Sequence, residues 1–473
     1  MHFSEYSQYD AVGLAQLIKS GQVSAQEVQQ LARQAILAVN PALNALVGGL
    51  FEEALPASTT GPFAGVPFVI KDFSLHAAGV KIGMGTRLVG DGIVFPHDTD
   101  LMTRFKQAGL VTLGRTATPE FAFNLTTEPV SNGPTRNPWN LSRSPGGSSG
   151  GSAALVAARA IPVAHGTDGA GSIRVPAAWC GLVGLKPTRG RIPPGPDSDE
   201  RLLGLGVDFA LARTVRDTAA LLDAVNGPGI GDKYFAAPPE RPYAQEVGAF
   251  PGRLRIAMTM QAWSGVPVDK EYVDTVSRVC HQLASMGHDV EEASPQLDWE
   301  LFVDANLPIW TASMAANALG LAQARGIDLG PDVLEAVTLT SVEYGRRLSA
   351  LDLLRALRLC NTITRGVSAF FRSYDVLVTP TAATPPPVLG SLNQNDPSLD
   401  PRGWLNKLFA LIPFSPLFNM TGQPAISLPL EQSSEGLPIG VQLVARYGDE
   451  ATLLRLAAQL EEALPWALRR PSI

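Results

Sequence analysis

Two glycine-crowded turns in the first half of the chain each present serines. Gly146-Gly-Ser-Ser-Gly-Gly151 holds Ser148 and Ser149, and Gly166-Thr-Asp-Gly-Ala-Gly171 runs directly into Ser172. Glycine loses more conformational freedom on folding than any other residue, so this density beside hydroxyls points to backbone shapes that other residues do not adopt. A serine hydroxyl at its ordinary acidity is a weak nucleophile and needs a base beside it. Lys71 is a candidate: it ends the apolar run Phe63-Ala-Gly-Val-Pro-Phe-Val-Ile70, which reads as a buried strand. An amine delivered there is pushed toward its neutral form by desolvation, which is the form a base must have.

The elements between these residues decide whether they meet. Ser152 to Ala160 has the composition of a buried helix, and Ile161-Pro-Val-Ala-His165 is short and apolar enough for an interior strand. Laid antiparallel, the two return the chain to the edge it left and bring Ser148 toward Ser172, 24 positions on. Leu110 to Leu113 reads as another inner strand, and residues 119–144, rich in Asn, Pro, Thr and Gly, as a long ordered loop of the kind that is usually functional. Near the start, Asp10 caps one helix, and Ser24 with Glu27 forms a capping box for a second that should stop at Asn40-Pro41. Further strands are expected at Leu254–Met258 and Tyr374–Thr379. Helices are expected over 270–286, through most of 295–372, and over 449–464. The apolar patch Trp404–Phe414 reads as a core helix or as the lining of a substrate channel.

With 45% hydrophobic and only 17% charged residues among 473, the chain is globular rather than disordered or coiled-coil. A net charge of -7 with no basic run argues against nucleic acid. No leader pattern and no long apolar span is evident, so a cytoplasmic protein without membrane contact is expected. The three cysteines, Cys180, Cys280 and Cys360, are far apart and suggest neither a disulfide framework nor structural zinc. Histidines are scattered and no P-loop occurs, so no metal and no cofactor is expected. The sequence admits a homodimer without indicating one.

The runs GGSSGGSAA, GTDGAGSIRVPAAWCG and GLKPT resemble the amidase signature family of serine hydrolases. So do Gly65-Val-Pro-Phe-Val-Ile-Lys71-Asp72, Asn137-Pro-Trp139, Asn419 to Pro429 and Gly436 to Gln442. The resemblance spans nearly the whole chain. It implies a single α/β domain over 1–473, with a mixed β-sheet core flanked by helices on both faces. The core would comprise 60–190 and 374–464, and 190–372 would be a variable, mostly helical segment on the substrate side. It also implies a Ser-Ser-Lys triad: Ser172 as nucleophile, Ser148 as proton bridge, Lys71 as base. Oxyanion donors would be backbone amides of Gly169, Ala170 and Gly171, together with Ser172 itself. Ala170 stands where the family usually has glycine, which is tolerable only at negative φ. A non-proline cis peptide is implied at Gly147-Ser148. Asn124 and Ser149 are the expected substrate contacts, and Asp168 with Arg174 an ion pair bracing the turn. The expected substrate is a small-molecule amide, in the branch acting on apolar amides, including cyclic nylon oligomers, aryl acylamides and carbamates.

Three rival readings stay open. Gly146-Gly-Ser-Ser-Gly150 fits G-x-S-x-G, which would make Ser148 the nucleophile of an α/β-hydrolase-type esterase, with His165, His281 or His288 as base. A glutaminase subunit of an amidotransferase is the second. The third, a non-catalytic binding protein, is opposed by the filling of all three triad positions.

Overall fold

In the computed structural model, which describes residues 1–472, thirteen strands are assigned. In chain order they are β1 (Leu46–Leu50), β2 (Pro67–Lys71), β3 (Lys81–Ile82), β4 (Ile93–Val94), β5 (Val111–Thr116), β6 (Val163–Asp168) and β7 (Val183–Lys186). There follow β8 (Val207–Ala212), β9 (Arg255–Met258), β10 (Asp289–Glu292), β11 (Val376–Pro380), β12 (Ala425–Gln432) and β13 (Pro438–Ala445). Eight of them form one mixed sheet in the order β10-β9-β11-β13-β12-β7-β8-β6. The joins of β10, β9 and β11 are parallel and the rest antiparallel. A three-stranded sheet, β1-β5-β2, stands beside it, and β3 and β4 form a small ribbon. The whole is an α/β fold with the large sheet flanked by helices.

Burial explains why the apolar runs became what they did. All five residues of β2 are buried, as a continuous Pro-Phe-Val-Ile-Lys run requires. The helix Gly150–Ala157 is apolar or small on every side and every residue of it is buried. Its neighbour β6 starts two residues later than Ile161 and continues to Asp168, so the strand itself carries Thr167 and Asp168 to the site. Lys71 is the last residue of β2, as expected.

At the N-terminus the helix Ala11–Lys19 takes its cap from Asp10, and the capping box of Ser24 and Glu27 starts the helix Ala25–Leu43. That second helix does not stop at Asn40-Pro41. Proline in the last turn forfeits little, and Asn44 in the left-handed region ends the helix while Asn40 Oδ1 accepts the Ala45 and Leu46 N–H groups at 2.8 and 3.0 Å.

The division into core 60–190 and 374–464 with a helical segment about 190–372 needs redrawing. Helices do fill Trp299–Arg325, Ala336–Gly345 and Ala350–Phe370, but β8, β9 and β10 belong to the large sheet. β9 is the strand expected at Leu254–Met258, whereas β8 and β10, of six and four residues, are too short for periodicity to stand out. The helices of 299–411 pack over a second apolar cluster that includes Phe302, Trp404 and Phe409. Trp404–Phe414 is accordingly largely helical, over Pro401–Leu411. Among the described residues, no helix is long and apolar enough to cross a membrane.

Candidate active site

The end of β2 places Lys71 in a fully buried position ringed by hydroxyls. Its Nζ lies 2.7 Å from Ser148 Oγ, 3.1 Å from Ser149 Oγ and 2.7 Å from Thr167 Oγ1. Burial lowers the pKa of this amine to about 7, against the raising pull of the Asp208 and Asp168 carboxylates. The three oxygens suit either charge state. An ammonium donates to all three, whereas a neutral amine donates to two and turns its lone pair to the third. Ser149 Oγ donates to the Thr167 carbonyl at 3.3 Å and accepts the Thr167 N–H at 3.1 Å, so its proton is already engaged. Of the two serines, Ser148 is the one whose proton is free to go to Lys71.

Ser148 follows a cis peptide at Gly147-Ser148 and precedes the helix Gly150–Ala157. Ser172 precedes the helix Arg174–Cys180, which packs on the first, so the two serines sit at neighbouring helix starts. Ser148 is 1% exposed and Ser172 6%. Among the described residues no hydrogen bond yet joins their hydroxyls. The structure thus brings Lys71 and Ser148 into direct contact and does not join Ser148 to Ser172.

Between β6 and Ser172 the chain makes a turn whose amides point to no protein acceptor. Among the described residues, the N–H groups of Gly169, Ala170, Gly171 and Ser172 donate to nothing, while the next two, of Ile173 and Arg174, are taken by Asp168 Oδ2. Gly171 has φ +138°, a conformation side-chain-bearing residues rarely adopt, and a Cβ there would lie 2.9 Å from Val175 Cγ2. Ala170 does not have positive φ, so the alanine fits.

The brace expected of Asp168 and Arg174 is present and extensive. The guanidinium meets the carboxylate in a two-point contact of 2.9 and 2.8 Å and also donates to Ser415 O, Gln442 Oε1 and Asn419 Oδ1. Asn419 Nδ2 returns a bond to Asp168 Oδ1 at 2.9 Å. Burial opposes the charge on Asp168, but Arg174 and Asn419 outweigh it and hold the carboxyl well below the usual range.

A cavity of about 580 Å³ opens onto this region, lined by Phe73, Phe121, Ser148, Gly169, Leu202 and Trp310 among others. Trp310 also lines a small apolar crevice that reaches Asn124 and Ala170. Asn124 is buried with its amide donating to Leu392 O and its oxygen accepting from Thr126 N–H. Ser149 is wholly buried beneath Lys71. For both, the contacts formed here are with protein. Three further residues escaped sequence reasoning. Thr167 was visible inside the glycine-rich motif but had no chemistry of its own to mark it. Trp310 comes from the long helix Trp299–Arg325, which nothing in its spacing ties to residue 169. Asp208 lies 3.4 Å from His165 Nε2 on β8. As for the histidine-dependent reading, His165 Nδ1 accepts the Lys71 backbone N–H at 3.3 Å, and Ser148 has a lysine, not a histidine, beside it.

The Amidase family profile matches residues 25–454, and the chain belongs to the amidase signature family. It is an amidase, a hydrolase of carbon–nitrogen bonds other than peptide bonds. The 6-aminohexanoate-cyclic-dimer hydrolase of Paenarthrobacter ureafaciens is 40% identical to it over 476 residues, covering 98% of this chain and 96% of that protein. A solved structure of 6-aminohexanoate cyclic dimer hydrolase matches with a TM-score of 0.92 at 38% identity, over 98% of this chain and 99% of that one. A bacterial aryl acylamidase of the same family matches with a TM-score of 0.86 at 25% identity, over 97% of each chain.

Proposed function

We propose that this amidase opens a small, apolar amide, cyclic or aryl, through an acyl intermediate on Ser172, with Ser148 and Lys71 passing the proton. Neutral Lys71 takes the Ser148 proton as Ser148 takes that of Ser172, and the Ser172 oxygen bonds to the carbonyl carbon. The oxyanion so formed is held by the free amides of Gly169, Ala170, Gly171 and Ser172, donors that need no rearrangement when the charge appears. Collapse breaks the carbon–nitrogen bond, and Ser148 protonates the departing nitrogen at the expense of the Lys71 ammonium. Water then enters, gives its proton to the same relay, and releases the acid from the ester.

The observation that carries this reading is the buried amine of Lys71, 2.7 Å from Ser148 Oγ. Phe73, Phe121, Leu202 and Trp310 in the cavity wall support an apolar substrate, and the cyclic-dimer hydrolase and aryl acylamidase relatives support the cyclic and aryl classes. Asn124 and Ala170 border a small crevice beside Trp310, next to the cavity that takes the substrate. We assign Ser149 to holding Lys71, 3.1 Å away, rather than to touching substrate. The test is a panel of 6-aminohexanoate cyclic dimer, an anilide, a carbamate and glutamine, with the acyl-enzyme trapped and located by mass spectrometry. The expected acyl group is on Ser172, and Ser172→Ala abolishes turnover with the fold intact. Glutamine turning over fastest, or acylation of Ser148, would overturn the proposal. Three free, buried cysteines support a reducing, cytoplasmic setting, which fractionation tests, and a homodimer is checked by light scattering.

A further inference from the structure

Away from the proposed triad, at the rim of the same cavity, three groups converge that are far apart in sequence. His97 Nε2 lies 3.1 and 3.0 Å from the two oxygens of Asp197, and His76 Nε2 lies 3.2 Å from Asp197 Oδ2. All three ligating atoms fall within 4.8 Å of one another. His76 is only 5% exposed, and its Nε2, although 3.2 Å from Asp197 Oδ2, makes no hydrogen bond there. A buried polar atom without a partner is costly and calls for an explanation. When the neutral ring carries its proton on Nδ1, an unpartnered Nε2 lone pair lies close to a carboxylate, and a cation held by both would satisfy them.

The surroundings make this a built arrangement rather than a chance meeting of surface loops. Phe95 stacks on the His76 ring with centroids 3.8 Å apart and planes 13° from parallel, which fixes the ring's orientation. The β3–β4 ribbon, lying between His76 and His97 in sequence, sets the spacing of their loops. The Thr99 N–H donates to His76 O at 3.1 Å and the Asp100 N–H to Gly195 O at 3.0 Å, so backbone bonds tie all three contributing segments together. The nearby cation is already taken: Arg201 pairs with Asp208.

Two imidazoles and a carboxylate are a donor set for borderline divalent cations, in a site that keeps a fourth position for water. Metal–ligand distances of about 2.0 to 2.2 Å in a tetrahedron put ligand atoms roughly 3.3 Å apart, close to the nitrogen–oxygen separations found here. The geometry points to His76, His97 and Asp197 as a binding site for a divalent cation of the zinc class, which tethers the 194–203 loop at the cavity rim and restricts entry. Asp197, Ser198, Leu202 and Leu203 of that loop line the cavity with His76, so a cation there joins the wall segments a substrate must pass.

The test uses the full chain stripped with chelator and titrated with zinc chloride in a calorimeter at neutral pH. One zinc per chain is expected, with kcat/KM for an anilide falling several-fold on saturation. His97→Ala and Asp197→Asn change half-exposed side chains. Each should weaken uptake by about 10-fold or more, since even outer partners of metal ligands are worth that much. It should also abolish the response of the rate to zinc. No saturable uptake by the wild type, or uptake of equal affinity in both variants, would overturn the site. Uptake without any change in rate would overturn the restriction of entry. The uptake arm needs no substrate, so its result stands apart from whether the proposed amide chemistry is right.

Discussion

Replacing Lys71 with methionine while following pH tests the proton path by two separate readings of one ionisation. An ordinary lysine amine titrates at 10.5, so at pH 8 only about 0.3% of it would be neutral, whereas with a pKa of about 7 roughly 90% is. Burial at the end of β2 therefore supplies some 300-fold more base at that pH, and the shift corresponds to about 5 kcal/mol. In single-turnover hydrolysis of an anilide, wild-type kcat/KM should climb about tenfold per pH unit below the midpoint near 7 and level off above it. Lys71→Met should lose about 100- to 10,000-fold at the plateau and lose the slope as well. The second reading is stability. Between pH 7 and 10 the folded amine is neutral while the unfolded one is protonated, so the unfolded chain binds more protons and wild-type stability rises with pH. Relative to Lys71→Met, which has no such group, the gain should be about 1.4 kcal/mol per pH unit in urea titrations. This slope depends on the ionisation alone and not on how well methionine packs. A flat wild-type rate profile from pH 6 to 9, or stability curves of the two proteins that run parallel over pH 7 to 10, would refute the assignment of Lys71 as a buried neutral base.

Thr167→Val removes an oxygen that accepts from Lys71 at 2.7 Å, and since that bond favours the ammonium, the midpoint of the pH–rate profile should move down. A midpoint that rises would contradict the geometry. Gly171→Ala should cost about 100-fold or more in kcat by displacing an oxyanion donor, and lower the melting temperature, because φ there is +138° and the added Cβ meets Val175. Ala170→Gly should leave the rate nearly unchanged, since φ there is already open to any residue. Arg174→Met leaves the Asp168 carboxylate buried and uncompensated, and chemical denaturation should show a loss of about 3 to 5 kcal/mol. A loss below 1 kcal/mol would mean that Asn419 and the backbone N–H groups suffice.

What could be read beforehand was whatever is written in consecutive residues. The glycines around Ser148 and Ser172 announce unusual backbone, and Phe63 to Lys71 announces a strand with a charge where no strand wants one. Both signals survive without neighbours because backbone shape and desolvation are local consequences of residue type. Thr167 shows the limit. It is an ordinary strand threonine whose hydroxyl matters only because β6 runs on to Asp168 and lies against β2, a placement set by two sheets meeting. Trp310 and the trio of His76, His97 and Asp197 are further examples. Their partners are fixed by the docking of the 299–325 helix and of the 194–203 loop, and spacings of 21 and 100 residues match no metal-binding pattern. The neighbours of Ser172 in sequence place its amide among free donors, but the proposed passage of its proton to Ser148 depends on the helices Gly150–Ala157 and Arg174–Cys180 staying packed. Gly146 allows the close approach at that seam, where a Cβ would lie 2.8 Å from Pro176 Cα, and Gly147 faces another neighbour: a Cβ there would lie 2.7 Å from backbone atoms of residues 124 to 126. Glycine at 147 keeps the loop that carries Asn124 against the turn that carries Ser148, so the crevice wall and the hydroxyl beside Lys71 are held in register by the same residue.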